Sequence, residues 1–242
     1  LTGTHIGQYY DGKKYGLIDL MDDILAIGKD FRLRLSSLDP RDCSDQLLQR
    51  IETSEQICKH IHINVQSFSP EVLKGMNRHY KEYDLLIKRL IQFRNKYPYA
   101  GIGGDFIVGF PGETESMFET TLKTVEQVGF NYGHVFRYSK RPGTAAASMS
   151  NQIHEKEKTG RSNQLRKCLA EMRYEFINKQ LNTVTHTIVV EQEKPIRGIT
   201  SNYIRVEIPR AQAERNSWQR VILKKYLPEK NRCKAVLHTK EK

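Results

Sequence analysis

The fold of this chain is decided by the stretch GGDFIVGFPGETE, residues 103–115. Its apolar Phe-Ile-Val run at 106–108 is typical of a strand that is covered on both faces. The turn at 109–112 has glycine at both ends, which lets backbone approach a ligand closely. Thr114 then offers a hydroxyl cap for a helix. Because ligands bind at the carboxyl ends of strands in parallel α/β sheets, we expect a site at this turn.

Strand and helix patterns alternate along the first half of the chain. The predicted strands are 1–3, 32–35, 60–65, 104–109 and 132–138. The predicted helices are 17–28, 45–53, 83–97 and 114–128, with a short helical turn near 70–75. Five strands joined by helices imply an α/β fold with a parallel sheet and right-handed crossovers.

The composition changes after a long, highly charged helical pattern at 155–181. Short strand patterns follow at 185–191, 196–208, 217–226 and 231–237. In the second of them Ile204, Val206 and Ile208 alternate with charged residues, which indicates a half-buried strand. Several short strands in about 60 residues predict a small antiparallel barrel. We therefore expect two domains, 1–182 and 183–242.

Charge and cysteine usage limit the function classes. The 242 residues carry a net charge of +11, which favours a polyanionic partner, nucleic acid first, over simple solubility. No apolar run approaches the roughly 20 residues of a membrane helix, so no membrane partner is expected. Cys43, Cys58, Cys168 and Cys233 show no metal-ligand spacing. We expect reduced thiols and a cytoplasmic location.

Six phrases at the predicted strand ends are specific in combination. They are LTGTHIG at 1–7, RLRLSSLDP at 32–40, HIHINVQS at 60–67, VLKGMNRHY at 72–80, the opening stretch, and HVFRYSKRPGT at 134–144. This order resembles the methylthiotransferases of the radical S-adenosylmethionine superfamily, which insert a methylthio group into an unactivated C–H bond. The tail, with GITSNYIRV at 198–206, resembles the family's terminal TRAM domain, a small RNA-binding barrel. The resemblance therefore implies a partial (β/α) radical-SAM barrel followed by a TRAM-like barrel.

The resemblance also implies which residues form the site. The cofactor-binding candidates, at the strand ends, are Gly3, Thr4, Ser36, Ser37, Gln66, Gly109, Phe136 and Tyr138. Ser36 and Ser37 have an alternative role as turn caps before Pro40. The substrate-binding candidates are Arg78 and Arg205, and an ordinary solvent-facing arginine is an equally open interpretation of Arg78. No catalytic residue and no metal ligand is predicted.

Two residues near these phrases carry expectations of their own. Phe68 stands where the family has glycine between two serines, so we expect added bulk beside the site. Asp105 begins the predicted strand 104–109, at the end opposite the site, and is expected to be structural.

The cysteines decide what the chain can do alone. The family's chemistry needs a four-iron four-sulfur cluster on three cysteines with three and then two intervening residues, and no such triplet occurs here. The resemblance implies two such clusters in the full-length protein and none bound by this chain, which also begins without methionine. We expect a piece that lacks the first barrel strand and helix and an N-terminal domain. Its expected partners are tRNA and an electron donor such as flavodoxin or ferredoxin.

The substrate is open between branches of the family. GTHIG at 3–7 is most similar to the branch that acts on threonylcarbamoyl-adenosine in tRNA, with isopentenyl-adenosine second and a ribosomal protein third. Basic residues of the tail that can follow phosphates are Arg197, Arg205, Arg210, Arg215, Arg220, Lys224 and Lys225. A non-catalytic RNA-binding module remains an alternative. A phosphate-loop or dinucleotide-binding enzyme is disfavoured, because neither glycine motif is present.

Overall fold

A computed structural model of the chain describes residues 1–13, 15–28, 30–209 and 213–238. The helices are α1 (Leu17–Ala26), α2 (Asp45–Thr53), α3 (Pro70–Gly75), α4 (Tyr80–Lys96), α5 (Glu115–Val128), α6 (Ala145–Ser148) and α7 (Glu155–Asn178). The strands are β1 (His60–Gln66), β2 (Gly101–Val108), β3 (Tyr132–Arg137), β4 (Thr185–Glu193), β5 (Ile196–Thr200), β6 (Arg205–Ile208), β7 (Trp218–Leu227) and β8 (Arg232–Leu237).

A parallel sheet of three strands, in the order β1-β2-β3, forms the centre of the first part of the chain. The α/β class and the parallel sheet are confirmed, but the prediction of five regular strands is wrong. The segment 32–35 makes only an isolated parallel bridge, from Leu33 to Ile57, and Leu38 makes another to Ile63. Between these bridges the offset to β1 changes by one residue, so continuous pairing is lost there.

The first residues of the chain lie beside the segment 32–35, on the side away from β1, as the predicted strand order requires. The Leu1 amino group donates to the Arg34 carbonyl at 2.7 Å. The Ser36 amide donates to the Leu1 carbonyl at 3.0 Å. The predicted neighbours are therefore in place, although the backbone there lacks the ladder that defines a strand.

The two faces of the sheet differ in polarity because side chains alternate along each strand. The outer face carries buried apolar residues such as Ile61, Phe106 and Val135. These pack into one core with side chains of α4, α5 and α7, among them Leu90 and Phe118. The opposite face carries most of the polar strand residues. The helices that form this core in the described chain pack on the outer face and leave the polar face uncovered. That polar face is where a site can lie.

The helix after β2 forms as predicted. Thr114 is its N-cap, and its hydroxyl accepts from the Met117 amide at 3.4 Å. Gly129 ends the helix in the left-handed region, with φ of 78°, which glycine adopts without strain. The strand before this helix is longer than predicted, however, and begins at Gly101.

The tail is a closed barrel, β4-β5-β6-β8-β7, which we call the tail barrel. The single strand expected at 196–208 is two strands, β5 and β6, joined by a tight turn at which the Thr200 amide donates to the Ile204 carbonyl at 3.0 Å. Asn202 is buried in this turn and Tyr203 takes a left-handed φ of 68°. This turn was not predicted, although the polar residues Thr-Ser-Asn at 200–202 interrupt the apolar alternation that begins at Ile204.

This turn docks against the amino-terminal end of the sheet. Tyr203 stacks on His60 with ring centroids 4.5 Å apart. The Asn202 amide donates to the Tyr99 carbonyl at 2.8 Å, and Arg34 donates to the Thr200 carbonyl at 2.8 Å. The tail barrel therefore closes the amino-terminal end of the sheet and leaves the carboxyl end open. In the described part of the chain, no helix is long and apolar enough to cross a membrane.

Candidate functional site

An open groove of about 710 Å³ lies at the carboxyl ends of β1, β2 and β3. It is lined by Asn64, Gln66, Asp105, Ile107, Phe136, Arg137, Tyr138, Ser139, Arg141, Thr144 and Ala146. Its volume is within the range of roughly 300–1,000 Å³ that small-molecule and cofactor sites occupy. Three of the predicted cofactor-binding residues, Gln66, Phe136 and Tyr138, are among its walls.

Gln66 reaches the groove through an irregular strand end. The pairing of β1 with β2 shifts register between Ile63 and Gln66. Gln66 itself has a φ of 68°, a conformation that costs a residue with a side chain about 1 kcal/mol. The register shift and this conformation together place Gln66 among the residues that line the groove.

The two aromatic candidates of β3 are placed differently. Phe136 is 54% exposed and presents its ring to the groove. The Tyr138 ring packs edge-on against Phe110 and lies under the Lys158 ammonium. The Tyr138 hydroxyl is buried and has no hydrogen-bond partner among the described residues. Of the two rings, Phe136 is therefore the accessible one, and Tyr138 is packed into the wall of the groove.

Gly109 belongs to a turn that is held in place by the buried ion pair of Glu113 and Arg161. Its φ is 72°, and a Cβ there would lie 2.3 Å from the Lys158 side chain. The Gly109 amide donates to the Glu113 carboxylate at 2.6 Å, and Arg161 donates to the same oxygen at 2.9 Å. Burial raises the pKa of Glu113, while the Gly109 amide and the Arg161 charge oppose that rise. Glu113 had no predicted role, although its contacts with the Gly109 amide and Arg161 hold the turn in place.

Ser36, Ser37, Gly3 and Thr4 lie on the β1 side, outside the residues that line the groove. Ser36 and Ser37 are half-buried, and the Ser36 hydroxyl has no hydrogen-bond partner among the described residues. Gly3 and Thr4 are exposed. The structure therefore brings Ser36 to Leu1 but does not gather these four residues with Gln66.

Arg78 is engaged in the protein. Its guanidinium donates to Asp39 at 3.2 Å and to the Tyr83 hydroxyl at 3.0 Å. It lines a separate cavity of about 260 Å³ with these two residues and does not line the groove. Arg205 is exposed on β6 of the tail barrel.

Phe68 does not add bulk to the site. It is fully buried on the outer side of the sheet, where its ring lies against Tyr83, Phe106 and Phe130. The expectation that it crowds the cofactor is therefore wrong. The larger side chain is accommodated by the apolar core instead.

The interpretation of Asp105 as a structural residue at the far end is also wrong. Because β2 begins at Gly101, Asp105 is in the middle of the strand and faces the groove. His62 contacts it, with His62 Nε2 3.0 Å from Asp105 Oδ1. The available signal was the alternation His-Ile-His-Ile-Asn at 60–64, which places every polar residue on one face.

Five side chains form what we call the polar row: His60, Tyr132, His62, Asp105 and His134. The Tyr132 hydroxyl lies between His60 Nε2 and His62 Nδ1, 2.9 Å from the latter. Burial lowers the pKa of His60 well below its usual value and raises that of Tyr132, so both are neutral.

Hydrogen bonds link His60, the Tyr132 hydroxyl and His62. His62 lies 3.0 Å from the carboxylate of Asp105, which lines the groove, and its ring centroid is 5.6 Å from that of His134. The polar row therefore runs from the docked end of the sheet to the groove.

The cysteines do not form a cluster site. Cys43, Cys58 and Cys233 are buried, and burial raises the pKa of the Cys43 and Cys233 thiols to about 12. Within the described residues, the one group of three side chains placed to bind a metal contains no cysteine. The residues described here therefore do not fit a four-iron four-sulfur cluster.

Comparison with known proteins identifies the family. The model of the Radical SAM superfamily matches residues 3–125, and the chain belongs to this superfamily. It is 37% identical over 189 residues to a tRNA-2-methylthio-N(6)-dimethylallyladenosine synthase of Bartonella bacilliformis, covering 78% of this chain and 41% of that protein. It is 39% identical over 161 residues to the threonylcarbamoyladenosine tRNA methylthiotransferase MtaB of Thermotoga maritima, covering 66% of this chain and 37% of that protein.

These comparisons confirm the resemblance to tRNA methylthiotransferases that the strand-end phrases indicated. They match the two tRNA branches among the three that the sequence left open, at similar identity. The chain spans about two fifths of the length of these curated relatives.

The groove fits S-adenosylmethionine, the cofactor that the superfamily implies. Its volume suits a nucleoside-sized ligand, and an exposed ring and an amide face it. The unpartnered hydroxyl of Tyr138, a residue of the groove wall, indicates a polar contact that the described residues do not supply.

Proposed function

We propose that this chain is part of a tRNA methylthiotransferase that adds a methylthio group to C2 of a hypermodified adenosine beside the anticodon. The observation that carries the proposal is the groove at the carboxyl ends of the parallel strands, in a chain of the radical SAM superfamily whose relatives act on tRNA. S-adenosylmethionine supplies the radical chemistry when bound to an iron–sulfur cluster. Residues outside the described set would have to bind that cluster.

The roles of this chain's own residues are binding and orientation. Phe136 stacks on the adenine of the cofactor, at on the order of 1 kcal/mol, and the Gln66 amide takes a polar edge. The Gly109 turn, fastened by Glu113 and Arg161, sets the wall beside them. Gly3, Thr4, Ser36 and Ser37 are proposed to contact the rest of the cofactor.

The tail barrel is proposed to bind tRNA as a TRAM-like domain. Exposed basic side chains are carried by Arg205, Arg215, Arg220, Lys224 and Lys225. Arg197 is held by Glu207 at 2.9 Å, and Arg210 lies outside the described residues. The exposed set can follow phosphates without reading bases. A cytoplasmic location and an electron donor such as flavodoxin or ferredoxin belong to the same proposal.

The test is nucleoside analysis of bulk tRNA from cells with and without the gene. Loss of one 2-methylthio-adenosine derivative, with accumulation of its precursor, is expected. The precursor identifies the branch, with threonylcarbamoyl-adenosine favoured over isopentenyl-adenosine by the phrase at 3–7. An unchanged nucleoside profile would refute the proposal.

A second candidate function is a non-catalytic RNA-binding module. One observation favours it: the tail barrel is closed, whereas the described residues gather no cysteine cluster. We expect the isolated chain to form no 5′-deoxyadenosine after anaerobic reconstitution with iron and sulfide. Retention of tRNA by the chain, together with an unchanged nucleoside profile in the deletion strain, would favour the module.

A further inference from the structure

Three side chains of the polar row, at the end nearest the groove, lie close together on three adjacent strands of the sheet. His62 of β1, Asp105 of β2 and His134 of β3 each offer one ligand atom, and these atoms all lie within 4.8 Å of one another. We propose that they bind a divalent transition-metal ion of the Zn²⁺ or Fe²⁺ type. Such an ion would be separate from any iron–sulfur cluster, since no cysteine contributes to the group.

The register of the sheet brings these residues together. Asp105 is paired with His134 across β2 and β3, so both side chains lie side by side on the same face of the sheet. His62 is paired with Gly103, which lies two residues before Asp105 on β2 and on the same face of the sheet. Because Gly103 has no side chain, His62 can lean over it to reach Asp105 at 3.0 Å.

The spacing suits a metal after a small movement. Ligand atoms at about 2.1 Å from a tetrahedral ion are roughly 3.4 Å apart. The His62–Asp105 pair already meets this distance, and the His62 and His134 rings have centroids 5.6 Å apart. His134 is exposed and free to rotate toward the pair. Binding therefore needs a side-chain rotation and no change in the strands.

The donor set selects the kind of ion. Two imidazoles and one carboxylate suit borderline ions such as Zn²⁺ and Fe²⁺, whereas Ca²⁺ and Mg²⁺ prefer oxygen ligands alone. Three protein ligands leave coordination positions open. These positions face the groove, where a ring nitrogen or carbonyl oxygen of a bound molecule can occupy them.

The polar row also provides support behind the ligands. The Tyr132 hydroxyl is 2.9 Å from His62 Nδ1, the nitrogen that a metal on Nε2 would leave free. A partner of this kind fixes the ring orientation of a ligating histidine. A Cβ at Gly103 would lie 2.0 Å from a Tyr132 ring carbon, so the glycine is required for this placement. Only 9% of the His62 side chain is exposed, so it is already rigidly placed.

The experiment is a Co²⁺ titration of the chain after dialysis against a chelator, followed by visible absorption and by competition with Zn²⁺. One equivalent of Co²⁺ is expected, with bands typical of nitrogen and oxygen ligands and displacement by Zn²⁺. His134→Ala and Asp105→Asn should each weaken binding at least about tenfold. His154→Ala, at an exposed histidine that precedes α7, is the matched control and should bind as the unchanged chain does.

Two results would overturn the metal site. One is no binding by the unchanged chain at Co²⁺ concentrations up to about 1 mM, far weaker than protein transition-metal sites. The other is equal binding by the three variants, which would place the ion elsewhere. Circular dichroism of each variant in chelator shows whether it is folded. The outcome is independent of the nucleoside analysis, so failure of the metal site leaves the proposed function untouched.

Discussion

Replacing Glu113 by alanine tests whether the Gly109 turn is fastened as the structure indicates. Only 1% of the Glu113 side chain and 8% of the Arg161 side chain are exposed. Removing one partner of a buried ion pair costs about 3–5 kcal/mol, and an unsatisfied buried amide costs about 1–3 kcal/mol more. These costs are reduced here because Arg161 keeps the Glu113 carbonyl at 2.8 Å and Glu115 at 3.5 Å. We expect a net loss of about 3–4 kcal/mol in the free energy of unfolding.

Two spectroscopic signals show which part of the chain loses this stability. All seven α-helices of the described chain precede the tail barrel, so far-ultraviolet circular dichroism in urea follows that first part of the chain. The single tryptophan, Trp218, begins β7, so its fluorescence follows the tail barrel. Glu113→Ala should lower the circular dichroism midpoint more than the fluorescence midpoint.

The matched control is Glu119→Ala, because Glu119 makes an exposed pair with Lys123 on the same helix. It should change stability by no more than about 0.5 kcal/mol. If the free energy of unfolding of Glu113→Ala is within about 1 kcal/mol of that of the unchanged chain, the buried pair does not stabilise the turn and the prediction is wrong.

Three further predictions concern the sheet, the tail barrel and RNA binding. Gly103→Ala should destabilise the chain by at least about 2 kcal/mol in urea unfolding, because the new methyl overlaps Tyr132. Gly160→Ala, in the second turn of α7 where a Cβ meets open space, should instead stabilise the chain by about 0.5–1 kcal/mol. Equal effects of the two variants would contradict the packing. Burial lowers the pKa of His186 from 6.5 to about 4. The free energy of unfolding is therefore highest above pH 6.5, where His186 is neutral, and falls as the pH drops toward 4, because protonation favours the unfolded chain. The loss amounts to about 3 kcal/mol, and His186→Leu should abolish most of it in the Trp218 fluorescence midpoint; a variant with the same pH dependence would refute this. Retention of tRNA on filters should weaken at least about tenfold between roughly 50 and 200 mM salt, and salt-independent retention would contradict phosphate binding.

The class of the fold was predictable because local patterns and global topology agree. Apolar strands, glycine turns and capped helices recur at the spacing of a parallel sheet, and the Thr114 cap and the tail barrel follow the same logic. The loss of regular pairing at 32–35 was not predictable, since it comes from one extra residue between Ile57 and Ile63, relative to Leu33 and Leu38, that leaves the apolar pattern of 32–35 unchanged. Whether a segment pairs regularly with its neighbour depends on such offsets, and the spacing of apolar residues in the sequence does not indicate them.

The candidate site was predictable only in part. Gln66 and Phe136 follow from their positions at strand ends, but Asp105 was assigned to the wrong end because glycines at 101–104 disguise the start of β2. The docking of Tyr203 on His60 depends on a contact between distant segments, and no local pattern in the sequence indicates it.

The groove at the carboxyl ends of β1–β3 is proposed to bind S-adenosylmethionine. The most direct measurement is ultraviolet cross-linking of radiolabelled S-adenosylmethionine to the chain, with the modified peptide located by mass spectrometry and S-adenosylhomocysteine as competitor. The label is expected on a peptide that contains Phe136 and to be lost in Phe136→Ala, with Phe93→Leu in the outer core unaffected. Label on a peptide away from the groove, or no competable label at all, would contradict the claim.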